Sequence, residues 1–517
     1  MVFTKCQSCG TEVPATMSFC SSCGSPVSHE NAEVFASNKM KPGMSLKKLL
    51  IPAIAVVVVL VALVIVGISV LKPSKYEFRN GSVYISPGDE TVVIIPHNKG
   101  KVELDGYLRS GIRSLDGTKA VQLISEDDVE WDTLLYITDK VQTIGDGIQS
   151  VWLAPSGNAF AYTREYDETD HTAELWLYSD GKSKKLADDF AFGNNNCTIS
   201  PDGKTVAYVS CNDDTYTCIV WDGKTSTNLG KDVAPVAVAD GSKYIYYTKN
   251  DFLYVQRGLN SDNKEKLGDN VYQIYANKDL SQLVYSYGSK SYISRNGGKK
   301  EPLSGQIGYF VLPGGTATFY DSRVTVLGLS AFAGTFYCNS DNAIVCINAK
   351  YETHRVAKNV GEAYLSTDGK TLMYSSRDSI YRVNGIKADA EAVEIVDGDV
   401  ERFVAVDDGS AVFFITEDDE IFYQRGMSKP TLVTGDFTFD GYGTGYSLYK
   451  GNTLYYVSDE ELFVSTGDRG VRVGGFDGEV FYVSAGPFAV AVSTDDDGET
   501  LNYRSTDGKK FELMHQS

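Results

Sequence analysis

The chain has 517 residues, with 48 basic against 68 acidic side chains. Only five Lys and three Glu precede residue 49, so the remainder carries an excess of about 22 negative charges. A field of that sign repels phosphate backbones and anionic headgroups, which excludes direct nucleic-acid binding by the larger part. The 33 Tyr and 49 Gly against 14 Pro suit strands and tight turns rather than a disordered tail.

The N-terminus reads Cys6-Gln7-Ser8-Cys9-Gly10 and, ten residues beyond Cys9, Cys20-Ser21-Ser22-Cys23-Gly24. Two C-x-x-C-G knuckles can each supply two thiolates, one edge of a tetrahedral Zn²⁺ site, and the Gly after each pair lets the backbone turn toward sulfur. So short a segment cannot bury a core, so the metal must supply its folding energy. Two disulfides or a redox C-x-x-C would not account for the duplicated C-x-x-C-G pattern. On Cys6, Cys9, Cys20, Cys23, Gly10 and Gly24 the segment resembles the short zinc ribbons at the N-termini of many bacterial membrane proteins. That resemblance implies a structural Zn²⁺ with four protein ligands and no open position. Free thiolates need a reducing compartment, which places residues 1–26 in the cytosol. Residues 27–48 read as a flexible linker.

Residues 49–71, LLIPAIAVVVVLVALVIVGISVL, form a 23-residue run without a charge. As a helix it would reach ~35 Å, enough to cross a hydrocarbon core of ~30 Å. Pro52 falls in the first turn, where its missing N–H does no harm. The run is too long and starts too late for a cleaved leader. Lys39, Lys41, Lys47 and Lys48 precede it and Lys72, Lys75 and Arg79 follow, so basic flanks barely favour either orientation. The thiolates decide it: a single-pass cell-membrane protein is expected, with a cytosolic N-terminus and residues 76–517 extracytoplasmic.

Beyond residue 76 short alternating runs are bounded by Asp-Gly, Asn-Gly and Gly-Gly turns. One motif recurs, clearest at Ser200-Pro201-Asp202-Gly203-Lys204 and at Ser366-Thr367-Asp368-Gly369-Lys370, each followed by an apolar-aromatic strand. Weaker copies start near Leu115, Ala154, Ala239, Asn277 and Val406, at spacings of about 38–46 residues, the length of a four-stranded propeller blade. The S-P-D-G-K-x-x-A-Y-x-S form resembles the WD40-like repeat of the TolB family of bacterial propellers. The expected fold is all-β: a β-propeller of about eight four-stranded blades, within a range of seven to ten, after a zinc ribbon and one transmembrane helix. The stretch 306–336 lacks the Asp-Gly turn and reads as a degenerate blade in preference to an inserted loop.

No catalytic or cofactor-binding set is legible. The five His (29, 97, 171, 354, 515) lie at no metal-ligand spacing, and no nucleophile elbow, P-loop or dinucleotide motif is present. Trp131-Asp132 and Trp221-Asp222 read as strand ends. Cys197, Cys211, Cys218, Cys338 and Cys346 read as buried thiols, with 211–218 and 338–346 as candidate disulfides across hairpins. The leading expectation is a membrane-anchored interaction protein whose propeller binds an envelope protein or glycan. The alternatives are a carbohydrate-active enzyme with unlocated carboxylates and a transmembrane sensor whose ribbon recruits a cytosolic partner.

Overall fold

The computed structural model describes residues 3–5, 12–14, 75–79, 81–86, 91–125, 132–193, 195–259, 263–318, 324–385, 391–438 and 444–516. The chain divides into two compact units, Met1–Leu71 and Lys72–Ser517. In the first, Phe3–Lys5 pairs antiparallel with Glu12–Pro14, Lys5 opposite Glu12. The segment between them carries Cys6 and Cys9 in the sequence; Cys6, Cys9, Cys20, Cys23 and the whole apolar run 49–71 lie outside the described residues. Among the described residues no helix is long and apolar enough to cross a membrane.

The second unit is a succession of four-stranded antiparallel meanders: 75–105, 107–148, 151–191, 197–231, 234–269, 272–302, 307–357, 360–396, 400–434, 446–473 and 479–516. These eleven repeats, numbered 1 to 11 below, exceed the expected eight and the upper bound of ten. The seven Asp-Gly-type copies read from sequence are all turns between the first and second strands of a repeat. The four missed repeats turn differently: Gly81, Lys450-Gly451 and Gly486-Pro487 stand where the Asp-Gly would be, and repeat 7 carries an insertion. Repeats 3 and 4 are additionally joined through a single residue pair, Phe190 with Ser210.

The stretch 306–336 holds the first strand of a regular repeat followed by an insertion, not a degenerate blade. Repeat 7 has its four strands, and the extra chain lies between the first, Ile307–Leu312, and the second, Thr335–Asn339. Its strand Gly315–Thr318 adds to the outside of Ile307–Leu312. Its strand Val324–Val326 crosses to repeat 6 and pairs parallel with that repeat's first strand, Tyr272–Ala276. Sequence pattern could not separate these cases, because an inserted apolar strand and a blade strand have the same composition.

Second strands are apolar on both faces. Ala120–Ser125 is buried throughout, and Val206–Ser210 and Ala411–Ile415 are buried at every position. A strand reads this way only where both sheet faces are covered. The covering is supplied by neighbours. Repeat 2 meets repeat 3 through Leu123, Leu134, Phe160 and Tyr162; repeat 8 meets repeat 9 through Met373, Ile380, Val412 and Phe414. Each consecutive pair shares such a cluster. The series also closes: Val83, Val93 and Ile95 of repeat 1 pack on Ala489 and Ala491 of repeat 11. The Phe488 ring stands edge-on to His97 at 5.8 Å, and Lys101 Nζ donates to the Met514 carbonyl at 2.6 Å. Gly81, at φ +71°, leaves no room for a Cβ beside the Phe488 ring. Among the described residues no strand is shared between repeats 1 and 11, and the two sheets meet face to face.

Two devices repeat inside the units. The first is a stacked aromatic pair at directly opposed positions of the second and third strands. Tyr247 faces Tyr254 (5.5 Å, 16°), Tyr374 faces Tyr381 (5.3 Å, 15°), Phe414 faces Phe422 (5.5 Å, 18°) and Tyr456 faces Phe463 (5.3 Å, 14°). Such pairs add roughly 0.5–1.5 kcal/mol beyond area burial. The second is the two-residue hairpin with positive φ at both positions, as at Asp213-Asp214 and Arg377-Asp378. The first of these fixes the register that rules out a disulfide. With a two-residue turn, Cys211 faces Tyr216 and Cys218 faces Val209. Likewise Cys338 faces Ile344 and Cys346 faces Phe336. None of the five described thiols is in a disulfide, and burial pushes Cys218 up to about 12 and Cys346 to about 11.

The closing face makes a direct prediction. Ile95→Ala should destabilise the domain by about 2–5 kcal/mol, as expected for a fully buried aliphatic, matching Ile344→Ala inside the series. Urea midpoints measure both. A negligible effect at Ile95 alone would mean that repeat 1 is not covered by repeat 11.

Candidate binding site

The Asp-Gly turns come first, because they hold most of the sequence motif's acids. Ser200 Oγ donates to Asp202 Oδ1 at 2.8 Å, and Asp202 Oδ1 accepts the Lys204 N–H at 3.0 Å. Ser200 Oγ in turn accepts the Thr205 N–H at 2.9 Å. Ser366, Asp368, Lys370 and Thr371 repeat the arrangement at 2.7, 3.0 and 2.9 Å, and Ser114, Asp116, Thr118 and Lys119 at 2.7, 3.0 and 3.0 Å. In repeat 6 an amide replaces the hydroxyl: Asn277 Nδ2 donates to Asp279 Oδ1 at 2.8 Å. These carboxylates close turns.

The turns also link one repeat to the next. Leu115 N–H donates to the Pro155 carbonyl (2.9 Å), Ser156 N–H to Pro201 (3.1 Å), Thr367 N–H to Asp407 (2.8 Å) and Asp407 N–H to Gly451 (2.8 Å). Between repeats 4 and 5 the acceptor is a side chain: Asp202 N–H donates to Asp240 Oδ1 at 2.9 Å. Burial and the neighbouring Asp202 push the Asp240 carboxyl above its ordinary range. The motif is therefore spent on turn geometry and on repeat-to-repeat stitching.

Candidate ligand space lies on the first strands. Those of repeats 2 to 6, with the inserted strand Val324–Val326, converge on a cavity of about 380 Å³. Ile112, Trp152, Ile199, Val236, Ile274 and Val326 supply its apolar wall, and Asn195, Thr198 and Thr248 its polar atoms. Trp152 is fixed edge-on to Phe190 at 5.7 Å. Among the described residues no carboxylate, His, Lys or Arg lines this cavity, and its wall fits an apolar side chain or ligand moiety.

The first strands of repeats 7, 8 and 9 form a second cavity, of about 350 Å³, lined by Tyr309, Glu362, Tyr364, Phe403 and neighbouring small residues. Glu362 Oε2 accepts the Phe403 N–H at 3.3 Å. The Tyr364 hydroxyl donates toward Asp407, at 3.3 Å to the carbonyl and 3.4 Å to Oδ1. Burial, then the Asp407 charge, push this phenol above its ordinary range. Three aromatic rings and one carboxylate suit stacking and hydrogen bonding to a polyhydroxylated or cationic group. Two-carboxylate hydrolysis needs a pair ~5–10 Å apart; Glu362 is the single carboxylate lining this cavity.

Neither cavity contains a residue singled out beforehand except Cys197, which lines the first. Cys197 is buried, as are Cys218, Cys338 and Cys346. His97 and His171 sit in turns, with His97 Nε2 3.3 Å from the Thr118 carbonyl and His171 Nδ1 2.8 Å from the Tyr166 hydroxyl. Asp222 caps a turn through the Lys224 and Thr225 N–H groups. Among the described residues no group of three or more His, Cys, Asp or Glu could hold a metal ion.

The described residues define an all-β protein of repeated antiparallel sheets. The zinc-ribbon domain family matches residues 5–27. No curated protein matches the chain. Among solved structures it is similar to the tricorn protease, at 10% identity and TM-score 0.28 over 86% of this chain and 58% of that one. The chain thus spans less than two thirds of that protein's length. It is also similar to a eukaryotic initiation factor, at 11% identity and TM-score 0.37 over 69% and 94%. A third is a TolB from Agrobacterium tumefaciens, at 12% identity and TM-score 0.28 over 44% and 88%.

The turn acids set an acid limit to stability. Hydrogen bonds from the Lys370 ammonium, Ser366 hydroxyl and Lys370 N–H hold Asp368 down to about 2. The Lys510 and Lys509 N–H groups, with the Ser505 hydroxyl, do the same for Asp507, also to about 2. An unfolded Asp titrates near ~3.9. A depressed native value stabilises above that pH, and the contribution is lost as pH falls through about 2. Tm should therefore fall between pH ~4 and ~2, and Asp368→Asn should lower Tm at neutral pH while flattening that fall. An unchanged slope would remove Asp368 from the turn's energetics.

Proposed function

We propose that the chain is a single-pass membrane protein whose residues 76–517 form an extracytoplasmic β-propeller that binds an envelope protein or glycan partner. The observation that carries this reading is the closed series of repeats with an uncharged 380 Å³ cavity on its first-strand side. A ring of two-faced sheets is the arrangement in which no apolar face is left to water. The cavity offers shape and apolar surface, as a binding site does. The charge-free run 49–71 supports the anchor, and the four cysteines support a cytosolic ribbon.

One observation favours a glycan over a protein as the partner. The 350 Å³ cavity combines Tyr309, Tyr364 and Phe403 with Glu362, the mixture of ring faces and acceptor that sugars need. A carbohydrate-active enzyme remains the rival on the same residues, with Glu362 as one of its two carboxylates.

Zinc in this reading is structural. Cys6, Cys9, Cys20 and Cys23 would hold it as thiolates, and it supplies no chemistry beyond fixing the ribbon fold. The purified chain should carry one zinc per polypeptide by elemental analysis. Cys6→Ser with Cys9→Ser should abolish it while leaving the melting of residues 76–517 unchanged; full retention of zinc would remove these ligands.

Residues 76–517 close on themselves, so they can be immobilised alone and crosslinked to envelope extract with protein and glycan readouts. One enriched partner lost on Trp152→Ala assigns binding to the apolar cavity. A polysaccharide lost on Glu362→Gln assigns it to the aromatic one, and shortening of that polysaccharide on incubation would replace binding by hydrolysis. Enrichment insensitive to both substitutions would move the site off the first-strand side.

A further inference from the structure

Away from the first strands, a groove of about 650 Å³ opens between repeats 8 and 9. Its floor is Ile395 and Val396, from the fourth strand of repeat 8, with Phe414 and Phe422, the stacked pair of repeat 9. Its rim holds four carboxylates, Asp397, Asp399, Asp418 and Glu420, and one cation, Lys429. Met427 stands at the edge, 64% exposed. The apolar surface extends along both fourth strands, where Val393 is 42% and Leu432 45% exposed. Each of these strands is the outer member of its sheet.

We propose that this groove docks a basic, apolar-centred segment of a partner polypeptide: one large aliphatic or aromatic side chain on the floor, flanked by Lys or Arg at the rim. Charge complementarity selects the occupant. Four carboxylates around one opening repel one another and any anion, so nucleic acid, anionic lipid and acidic peptides are disfavoured. A simple cation would satisfy the rim and leave the apolar floor wet. A neutral apolar ligand would fill the floor and trap the rim charges at the edge of a low-dielectric contact. A basic segment with an apolar centre serves both. An exposed Met adapts to side chains of different shape, which suits it to the mouth of a peptide groove.

The net charge of −20 attracts any polycation, so the test must separate the groove from the overall field. The probe is a fluorescein-labelled peptide KKLFKK, titrated with the full chain in detergent micelles and read by anisotropy at two salt concentrations, with empty micelles as blank. Asp397→Asn, Asp399→Asn, Asp418→Asn and Glu420→Gln together should weaken binding at least tenfold. The same change in charge at Asp495, Asp496, Asp497 and Glu499, exposed residues of repeat 11, should weaken it less than threefold. KKGGKK should bind at least tenfold more weakly than KKLFKK, and EELFEE not at all. Equal losses in the two charge variants, or equal binding of KKGGKK, would overturn the proposal. A photocrosslinker on Met427→Cys provides a readout in the otherwise intact protein. It should capture KKLFKK and release it to excess unlabelled peptide; no capture would also overturn the groove.

Discussion

Each sheet of this protein has two apolar faces, and four strands cannot cover both by themselves. Everything else in the domain follows from how that surface is removed from water. A linear stack would bury the inner faces and leave two at its ends. Here the ends meet, Val83, Val93 and Ile95 against Ala489 and Ala491, so the first and last repeats cap each other. The small Ala side chains on one side and the Cβ-less Gly81 beside Phe488 on the other let these two sheets approach closely. Buried apolar area contributes ~25 cal/mol per Å², and most of it lies between repeats rather than inside them. No single repeat should therefore be stable alone.

The recurring Ser-x-Asp-Gly turn has a role in the same economy. It fixes the first-to-second-strand corner through three side-chain hydrogen bonds and passes a backbone bond to the next repeat. Its aspartates are consumed in doing so. An acidic chain of this kind therefore offers fewer free carboxylates than its composition implies. Acids outside that motif include Glu362 in the aromatic cavity and the four around the groove between repeats 8 and 9. The inserted strands of repeat 7 alter the first-strand side further. Val324–Val326 walls the apolar cavity with residues that no regular repeat would place there.

The two surfaces suit different partners. The first-strand cavities are enclosed by strands from several repeats, so their shape is set by the whole closed series and resists local change. The groove depends on two neighbouring repeats and on turns at its rim, where substitutions alter charge without disturbing the core. The first suits a ligand of fixed shape and the second a flexible segment.

The sequence by itself determined the all-β class, the zinc-ribbon segment and the position of seven first turns, because each rests on local chemistry. Thiolate spacing, positive-φ turns and two-faced apolar strands are all written within a few residues. It did not determine the number of repeats, since turns such as Lys450-Gly451 lack the aspartate that marked the others. It did not reveal that 306–336 contains an insertion, since strand composition is blind to which sheet a strand joins. It left the cysteine hairpins open between free thiols and disulfides, because only the two-residue turn fixes the register that their spacing does not. The cavities, the groove and the closing contact were beyond it altogether. They join residues up to several hundred positions apart, and only the packing of one sheet on the next decides which of them meet.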